Sequence, residues 1–85
     1  MSVINVCGVL VRAQPGFSEA VRAGLEAEPG VEVHVVTDDG RIVVTVEQET
    51  RAQTGATLTA LQHLDHVLST SLVYQYFDDN HQEAQ

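Results

Sequence analysis

The tripeptide Asp38-Asp39-Gly40 stands between two short runs that are rich in β-branched residues. Glycine after aspartate favours the positive φ of a tight hairpin turn, so the flanking runs are predicted to pair as antiparallel strands. The first run covers Val31–Thr37 and the second covers Arg41–Glu47. This hairpin lies at the centre of the chain and constrains what can fold on either side of it.

A strand and a helix are predicted before the hairpin. The apolar run Val3–Ala13 is typical of a strand. Val21 and Leu25 then recur at helical spacing, with Ser18 as a possible N-cap and Pro29-Gly30 as the stop. The first half of the chain therefore reads as strand, helix, strand.

The second half repeats this order. Thr50 is a candidate cap for a helix whose apolar face carries Leu58, Leu61 and Leu64. The run Val67–Phe77 is the last predicted strand. Two strand-helix-strand units joined by a hairpin predict a ferredoxin-like βαββαβ fold of the α+β class, with a four-stranded antiparallel sheet and both helices on one face. We expect residues 1–77 to form one domain and residues 78–85 to be a frayed acidic tail.

The polar residues of the strands predict which side chains point away from the helices. Arg12, Glu32 and Arg41 are poor candidates for a core, and period two places their alternate neighbours on the same outer side. The last strand lacks such an anchor; if Val67 enters the core, Ser69, Ser71 and Val73 follow it and the even positions point outward. The outer face is then predicted to contain Val6, Gly8, Leu10, His34, Val36, Val43, Thr45, Leu72, Tyr74 and Tyr76.

This predicted face has the composition of a contact surface. An exposed apolar patch of more than a few hundred Å² usually marks a binding site. Tyrosines give large contact area at low entropic cost, so Leu72 and Tyr74 are expected anchors whose truncation costs at least ~2 kcal/mol of binding. Gly8 would let another element approach the sheet closely.

Charge excludes some partners. Twelve acidic residues against four basic ones give a formal net charge of −8, which argues against nucleic acid and against anionic membrane surfaces. The same charge favours a cationic partner. The sequence shows neither a signal peptide nor a run of the ~20 apolar residues needed for a membrane span. The single Cys7 suits a reducing compartment.

No catalytic or metal-binding pattern is evident, so neither enzymatic activity nor a cofactor is expected. Cys7 falls on the predicted core face and reads as a small apolar residue. His63 and His66 have a spacing that could suggest a metal pair, but too few further ligands accompany them. His34, on the predicted outer face, is favoured as an ordinary surface histidine.

Four segments of the chain carry a family resemblance: VCGVLV at 6–11, PGVEVH at 29–34, DDGRIVVTVE at 38–47 and VLSTSLVYQY at 67–76. They resemble the NapD family, the small cytoplasmic chaperones of the periplasmic nitrate reductase catalytic subunit. With the helices between them, the resemblance spans about residues 3–77. His66 departs from the family pattern, which more often has a small turn residue such as glycine there.

The resemblance implies a function for the outer face. Proteins of this family bind the twin-arginine signal peptide of the reductase precursor as a helix on the sheet, which restrains export until the molybdenum cofactor is installed. Acidic residues near the face would then contact the two arginines. The candidates are Glu32, Glu47, Asp78 and Asp79.

An alternative function uses the same face differently. In a ligand-sensing regulatory domain of ferredoxin-like fold, two such faces pair into a permanent dimer and a metabolite binds at the seam. A chaperone with a vacant site would instead be a monomer. The resemblance favours the chaperone, in the cytoplasm and without stable membrane insertion.

Overall fold

The computed structural model describes residues 4–78. The predicted order of elements is confirmed, and each strand or helix lies within a few residues of its predicted bounds. The elements are β1 (Ile4–Ala13), α1 (Ser18–Ala27), β2 (Val31–Val36), β3 (Arg41–Gln48), α2 (Arg51–Gln62) and β4 (Val67–Asp78). Of the predicted tail over residues 78–85, Asp78 is the last residue of β4, and residues 79–85 lie outside the described residues.

Over the described residues the strands form a four-stranded sheet in the order β2-β3-β1-β4. Each neighbouring pair is antiparallel, so the predicted ferredoxin-like α+β fold is confirmed. The hairpin between β2 and β3 closes as expected, because the Thr37 N–H donates to the Arg41 carbonyl over 2.8 Å and Gly40 has a φ of +87°. The inner strands β1 and β3 pair without interruption from Asn5 opposite Gln48 to Arg12 opposite Arg41.

The core lies between the sheet and the two helices. Val21 and Leu25 of α1 and Leu61 of α2 are buried against it, as their spacing predicts. The sheet face that they contact is called the covered face. Its buried side chains are Cys7, Val9, Val11, Ala13, Ile42, Val44 and Val46.

Helix α2 begins as predicted and α1 does not. Thr50 caps α2: its hydroxyl accepts the Gln53 N–H, and the Gln53 side chain accepts the Thr50 N–H. The N-cap of α1 is Phe17, and Ser18 is already the first helical residue. The prediction of Ser18 as the cap was therefore wrong by one residue, and no side chain takes its place there.

A polar contact joins α2 to β3 and to the loop after α1. The Gln48 side chain donates to the Pro29 carbonyl over 2.8 Å and bonds the Thr57 hydroxyl at 3.0 Å. Thr57 and Thr54 are buried on α2, and the Thr54 hydroxyl donates to the Thr50 carbonyl. Both hydroxyls therefore have hydrogen-bond partners, so the burial of these threonines does not leave a hydroxyl unsatisfied.

Bulges interrupt both edge strands. In β2, Val33 pairs with Val44 but Val35 pairs with Val43, so His34 is an extra residue. In β4, Leu68 and Val73 are extra residues relative to β1. Each extra residue moves the following side chains to the other face of the sheet.

These bulges overturn several face predictions. Ser69 and Ser71 were predicted to enter the core with Val67, but they pair with Arg12 and Leu10 and lie on the outer face.

Two residues that were predicted on the outer face lie on the opposite side of the sheet. Val36 pairs with the buried Ile42 and packs against the core, so it lies on the covered face. Leu72 pairs with the buried Val9, which places it on the covered side as well, although it is 53% exposed. Strict alternation predicted both residues on the outer face, and a single inserted residue before each reverses that result.

His66, where the family more often has a small residue such as glycine, lies in the turn before β4. His66 has a φ of +70°, a conformation in which glycine carries no side-chain penalty. Its ring stacks on Phe17 with centroids 3.8 Å apart, and its Nδ1 lies 2.9 Å from the side-chain oxygen of Gln14. These contacts hold the turn against the β1–α1 loop.

Gly55 offers a test of helix α2. It lies in the helix interior, it is exposed, and a Cβ atom built there meets no atom within 4 Å. Because alanine has the higher helix propensity, Gly55→Ala should raise the free energy of unfolding by about 0.5–1 kcal/mol in chemical denaturation. An unchanged or lower value would contradict the conformation described for this helix.

Candidate functional site

The sheet face opposite the helices has no covering element among residues 4–78, and we call it the open face. Pairing across the sheet arranges its side chains in four rows. Each row runs from β2 or β3 across β1 to β4. In order along β1, the rows are Glu47, Val6 and Tyr76; Glu32, Thr45, Gly8 and Tyr74; Val35, Val43, Leu10 and Ser71; and Arg41, Arg12 and Ser69.

Apolar side chains occupy the middle of the open face. Val6 and Leu10 of β1 are partly exposed, and Val43 of β3 lies beside Leu10 with 38% exposure. Tyr74 and Tyr76 of β4 flank them with 50% and 58% exposure. A continuous apolar strip of this kind, left uncovered by the chain's described residues, has the character of a contact surface.

The structure brings most of the predicted site residues together on this face. Val36 and Leu72 are the exceptions, because they lie on the covered side of the sheet. Those found on the open face are Val6, Gly8, Leu10, His34, Val43, Thr45, Tyr74 and Tyr76. Their position on the face is observed, and their role in binding stays a prediction.

Val35 is a member of the open face that the sequence pattern missed. Alternation from Val31 and Val33 assigned it to the core, whereas the bulge at His34 turns it outward beside Val43. The sequence Val35-Val36 has two equivalent apolar residues, so composition alone cannot tell which one faces the helices. The extra residue before them decides it.

Gly8 is used by the chain's own Tyr74. The two residues pair across β1 and β4, and a Cβ atom at position 8 would lie 2.5 Å from Cδ2 and 2.9 Å from Cζ of the tyrosine ring, and closer still to Cε2. The ring therefore lies flat over the glycine, which explains why Gly8 is buried on an otherwise open face. We expected a close approach here, and the approaching group is Tyr74.

His34 is held on the face by a hydrogen bond. Its Nε2 lies 2.8 Å from the hydroxyl oxygen of Thr45, across the β2–β3 pair. This contact fixes the imidazole of the bulge residue over the neighbouring strand. It gives His34 a structural partner and agrees with its interpretation as a surface histidine.

Acidic groups collect at one end of the open face, which we call the acidic end. Glu32 and Glu47 are exposed and line a shallow depression of about 280 Å³. The other lining residues are Gly30, Val31 and Thr45. Of the other predicted arginine partners, Asp78 ends β4 opposite Ile4, at the same end of the sheet as Glu47, and Asp79 lies outside the described residues.

The other end of the open face carries Arg12 and Arg41, which pair across β1 and β3, and we call it the basic end. The Arg41 Nε lies 3.2 Å from Oδ2 of Asp39 in the hairpin turn. A hydrogen bond from the Thr37 hydroxyl, aided by the two arginines, holds the pKa of Asp39 below its usual value. The charge of the open face therefore changes along the strands. It is net negative at the acidic end, whereas at the basic end Asp39 compensates part of the positive charge of the two arginines.

The remaining candidate groups have ordinary roles. Cys7 is buried on the covered face, where burial raises the pKa of its thiol. His63 Nδ1 bonds the Thr59 carbonyl, and His66 is engaged with Gln14 and Phe17. Across residues 4–78 no group of three or more histidine, cysteine or acidic side chains could hold a metal ion. No helix in this part of the chain is long and apolar enough to span a membrane.

Comparison with known proteins identifies the family to which this chain belongs. The family model described as NapD protein matches residues 4–79, which includes every strand of the sheet. The chain belongs to the NapD family. The resemblance found in the sequence is confirmed.

Curated relatives agree with this membership. The chain is 30% identical over 81 residues to Chaperone NapD of Escherichia coli K12, covering 94% of this chain and 93% of that protein. The same values hold for Chaperone NapD of Shigella flexneri. The solution structure of the E. coli Tat proofreading chaperone protein NapD matches with a TM-score of 0.80 and 32% identity, covering 84% of this chain and 76% of the other. The chain is thus a chaperone and not an enzyme.

The contact between Gly8 and Tyr74 yields a prediction about stability. Gly8→Ala forces the ring off the sheet, which should lower the free energy of unfolding by about 1–3 kcal/mol. In a Tyr74→Ala background the same change should cost much less, because the obstructing ring is absent. Chemical denaturation of the wild type, the two single variants and the double variant measures this coupling; additive effects of the two substitutions would contradict the described packing.

Proposed function

We propose that the open face binds the twin-arginine signal peptide of the periplasmic nitrate reductase catalytic subunit precursor. The peptide would bind as a helix and remain there until cofactor insertion and folding of the precursor are complete. The observation that supports this most is the uncovered apolar strip on the open face, in a chain whose relatives are named as chaperones. A helix is the form in which a short amphipathic segment presents apolar side chains to such a surface.

The dimensions of the face suit one helix. Four strands spaced ~4.8 Å apart span about 14 Å, and a helix with its side chains is about 10–12 Å wide. From Val6 to Arg12 the face extends along β1 for about 20 Å, at ~3.4 Å for each step from one residue to the next. That length accommodates about thirteen residues of helix at 1.5 Å each.

The character of the face also suits a signal segment. Such a segment combines basic residues with an apolar stretch. The apolar stretch can lie over Val6, Leu10 and Val43, while Tyr76 supplies an anchor with both a ring and a hydroxyl. Basic residues gain charge-assisted hydrogen bonds from Glu32 and Glu47.

Binding of this kind explains restraint of export without enzymatic chemistry. A signal helix whose apolar side lies on the sheet cannot present that side to the export machinery. The chaperone therefore acts in the cytoplasm, before export, and the free protein is a monomer with a vacant face. The ligand-sensing dimer would use the same face, but membership of a chaperone family favours the peptide.

A matched pair of β4 variants tests the location of the site. Tyr76 and Leu72 are similarly exposed, at 58% and 53%, but they lie on opposite faces of the sheet. Tyr76→Ala should weaken binding of a synthetic twin-arginine signal peptide about tenfold or more, because an interface anchor is lost. Leu72→Ala should leave the Kd within about twofold, because its side chain lies away from the bound helix.

Isothermal titration calorimetry measures both values, and thermal unfolding verifies that each variant is folded. Equal losses in the two variants, or a loss only in Leu72→Ala, would overturn the assignment of the site to the open face. A wild-type protein that fails to bind the peptide would overturn the proposed function itself.

The net charge of −8 predicts a dependence of association rate on salt. Raising ionic strength from ~0.01 M to ~0.15 M shortens the Debye length from about 30 Å to about 8 Å, which weakens the attraction between the protein and a basic peptide. In stopped-flow experiments the association rate should therefore fall, while the dissociation rate changes much less.

The control peptide has both arginines replaced by glutamine and should show a smaller dependence on salt. An association rate that does not change with salt for the arginine peptide would refute electrostatic capture.

A further inference from the structure

The open face has a direction. Glu47 and Glu32 belong to the first two rows, and Arg12 and Arg41 pair in the fourth. The separation along β1, from Val6 beside Glu47 to Arg12, is about 20 Å. The apolar side chains lie between these ends, so an elongated partner on the face meets opposite electrostatic conditions at its two ends.

We infer that the bound signal helix has one polarity: its arginine pair lies over Glu32 and Glu47, and the helix continues along the apolar strip toward Arg12 and Arg41. This inference rests on the proposed function. It adds to that function the direction of the peptide and the two carboxylates that contact its arginines.

The acidic end has the geometry for a pair of guanidinium groups. Glu32 lies opposite Thr45, two residues from Glu47 along β3, so the two glutamates are diagonal neighbours on one face. Both line the same shallow depression, which is open to solvent. Two separate carboxylates can each accept hydrogen bonds from one arginine.

The helix dipole favours the same direction. In a twin-arginine signal the arginines precede the apolar stretch, so the helix N-terminus lies near them. The N-terminus carries a partial positive charge and the C-terminus a partial negative charge. With the N-terminus over Glu32 and Glu47, the C-terminus lies near the arginine pair of the basic end, and both dipole ends meet charge of opposite sign.

The reverse direction loses these interactions. It would place the peptide arginines beside Arg12 and Arg41, where like charges repel. Asp39 compensates part of this repulsion through its ion pair with Arg41, and Asp38 lies in the same turn. These aspartates belong to the hairpin turn beyond the last row, whereas the glutamates lie on the face itself.

A spin label measures the polarity directly. A synthetic twin-arginine signal peptide with a nitroxide on a cysteine placed just before the arginine pair should broaden the amide signals of Glu32, Thr45 and Glu47 and spare those of Arg12 and Arg41. A second peptide, labelled after the apolar stretch, should give the opposite pattern. The reversed pattern from both peptides would overturn this polarity while leaving the proposed function intact.

Charge variants test the arginine contacts by a double-mutant cycle. The double variant Glu32→Gln, Glu47→Gln should bind the arginine peptide about tenfold more weakly than the wild type does. It should bind a peptide with both arginines replaced by glutamine with a Kd within about twofold of the wild-type value. The control variant Arg12→Gln, Arg41→Gln should not weaken binding of the arginine peptide more than it weakens binding of the glutamine peptide. Equal losses for both peptides, or coupling only with the basic end, would overturn the assignment. Absence of any binding by wild-type protein would overturn the proposed function as well.

Discussion

The handedness of two crossover connections determines the rest of this structure. β1 and β2 run parallel with β3 between them, and β3 and β4 run parallel with β1 between them. A helix that joins two parallel strands of one sheet crosses on the right-handed side, so α1 and α2 are both directed to the same face. One face of the sheet therefore packs against the helices to form the core. The other face carries polar residues and exposed apolar residues, or contacts a partner. The open face is therefore a consequence of the connectivity.

Sequence alternation was reliable where the sheet is regular. β1 and β3 are the inner strands and pair without a bulge, and their polar residues Arg12, Arg41 and Glu47 identify the outer face correctly. Period two then places Val6, Leu10 and Val43 without further information. For these two strands the pattern was sufficient because each lies between two neighbouring strands and pairs with the other without a bulge.

Alternation failed in the edge strands, where one side of the ladder is free and an extra residue can be inserted. The bulge at His34 exchanges Val35 and Val36 between the faces. In β4 the bulge at Leu68 reverses the assignment, and the second bulge at Val73 restores it, so Leu72 was wrong while Tyr74 and Tyr76 were right. A run of apolar residues contains no polar marker for such an insertion. The turn at His66 illustrates a different limit, since its positive φ is supported by Phe17 and Gln14, which are distant in sequence.

The same bulges matter for a sheet whose open face has no covering element among residues 4–78. An exposed edge strand can pair with another sheet, and bulges interrupt the regular row of backbone groups that such pairing needs. β2 carries one bulge and β4 carries two, and the like charge of the molecules opposes face-to-face association of two copies. Tyr74 contributes by covering the backbone at Gly8, the point where the sheet is most open to close approach. The apolar strip can therefore remain exposed with less risk of pairing with itself, and its charge and width suit the basic amphipathic helix that we propose as its partner.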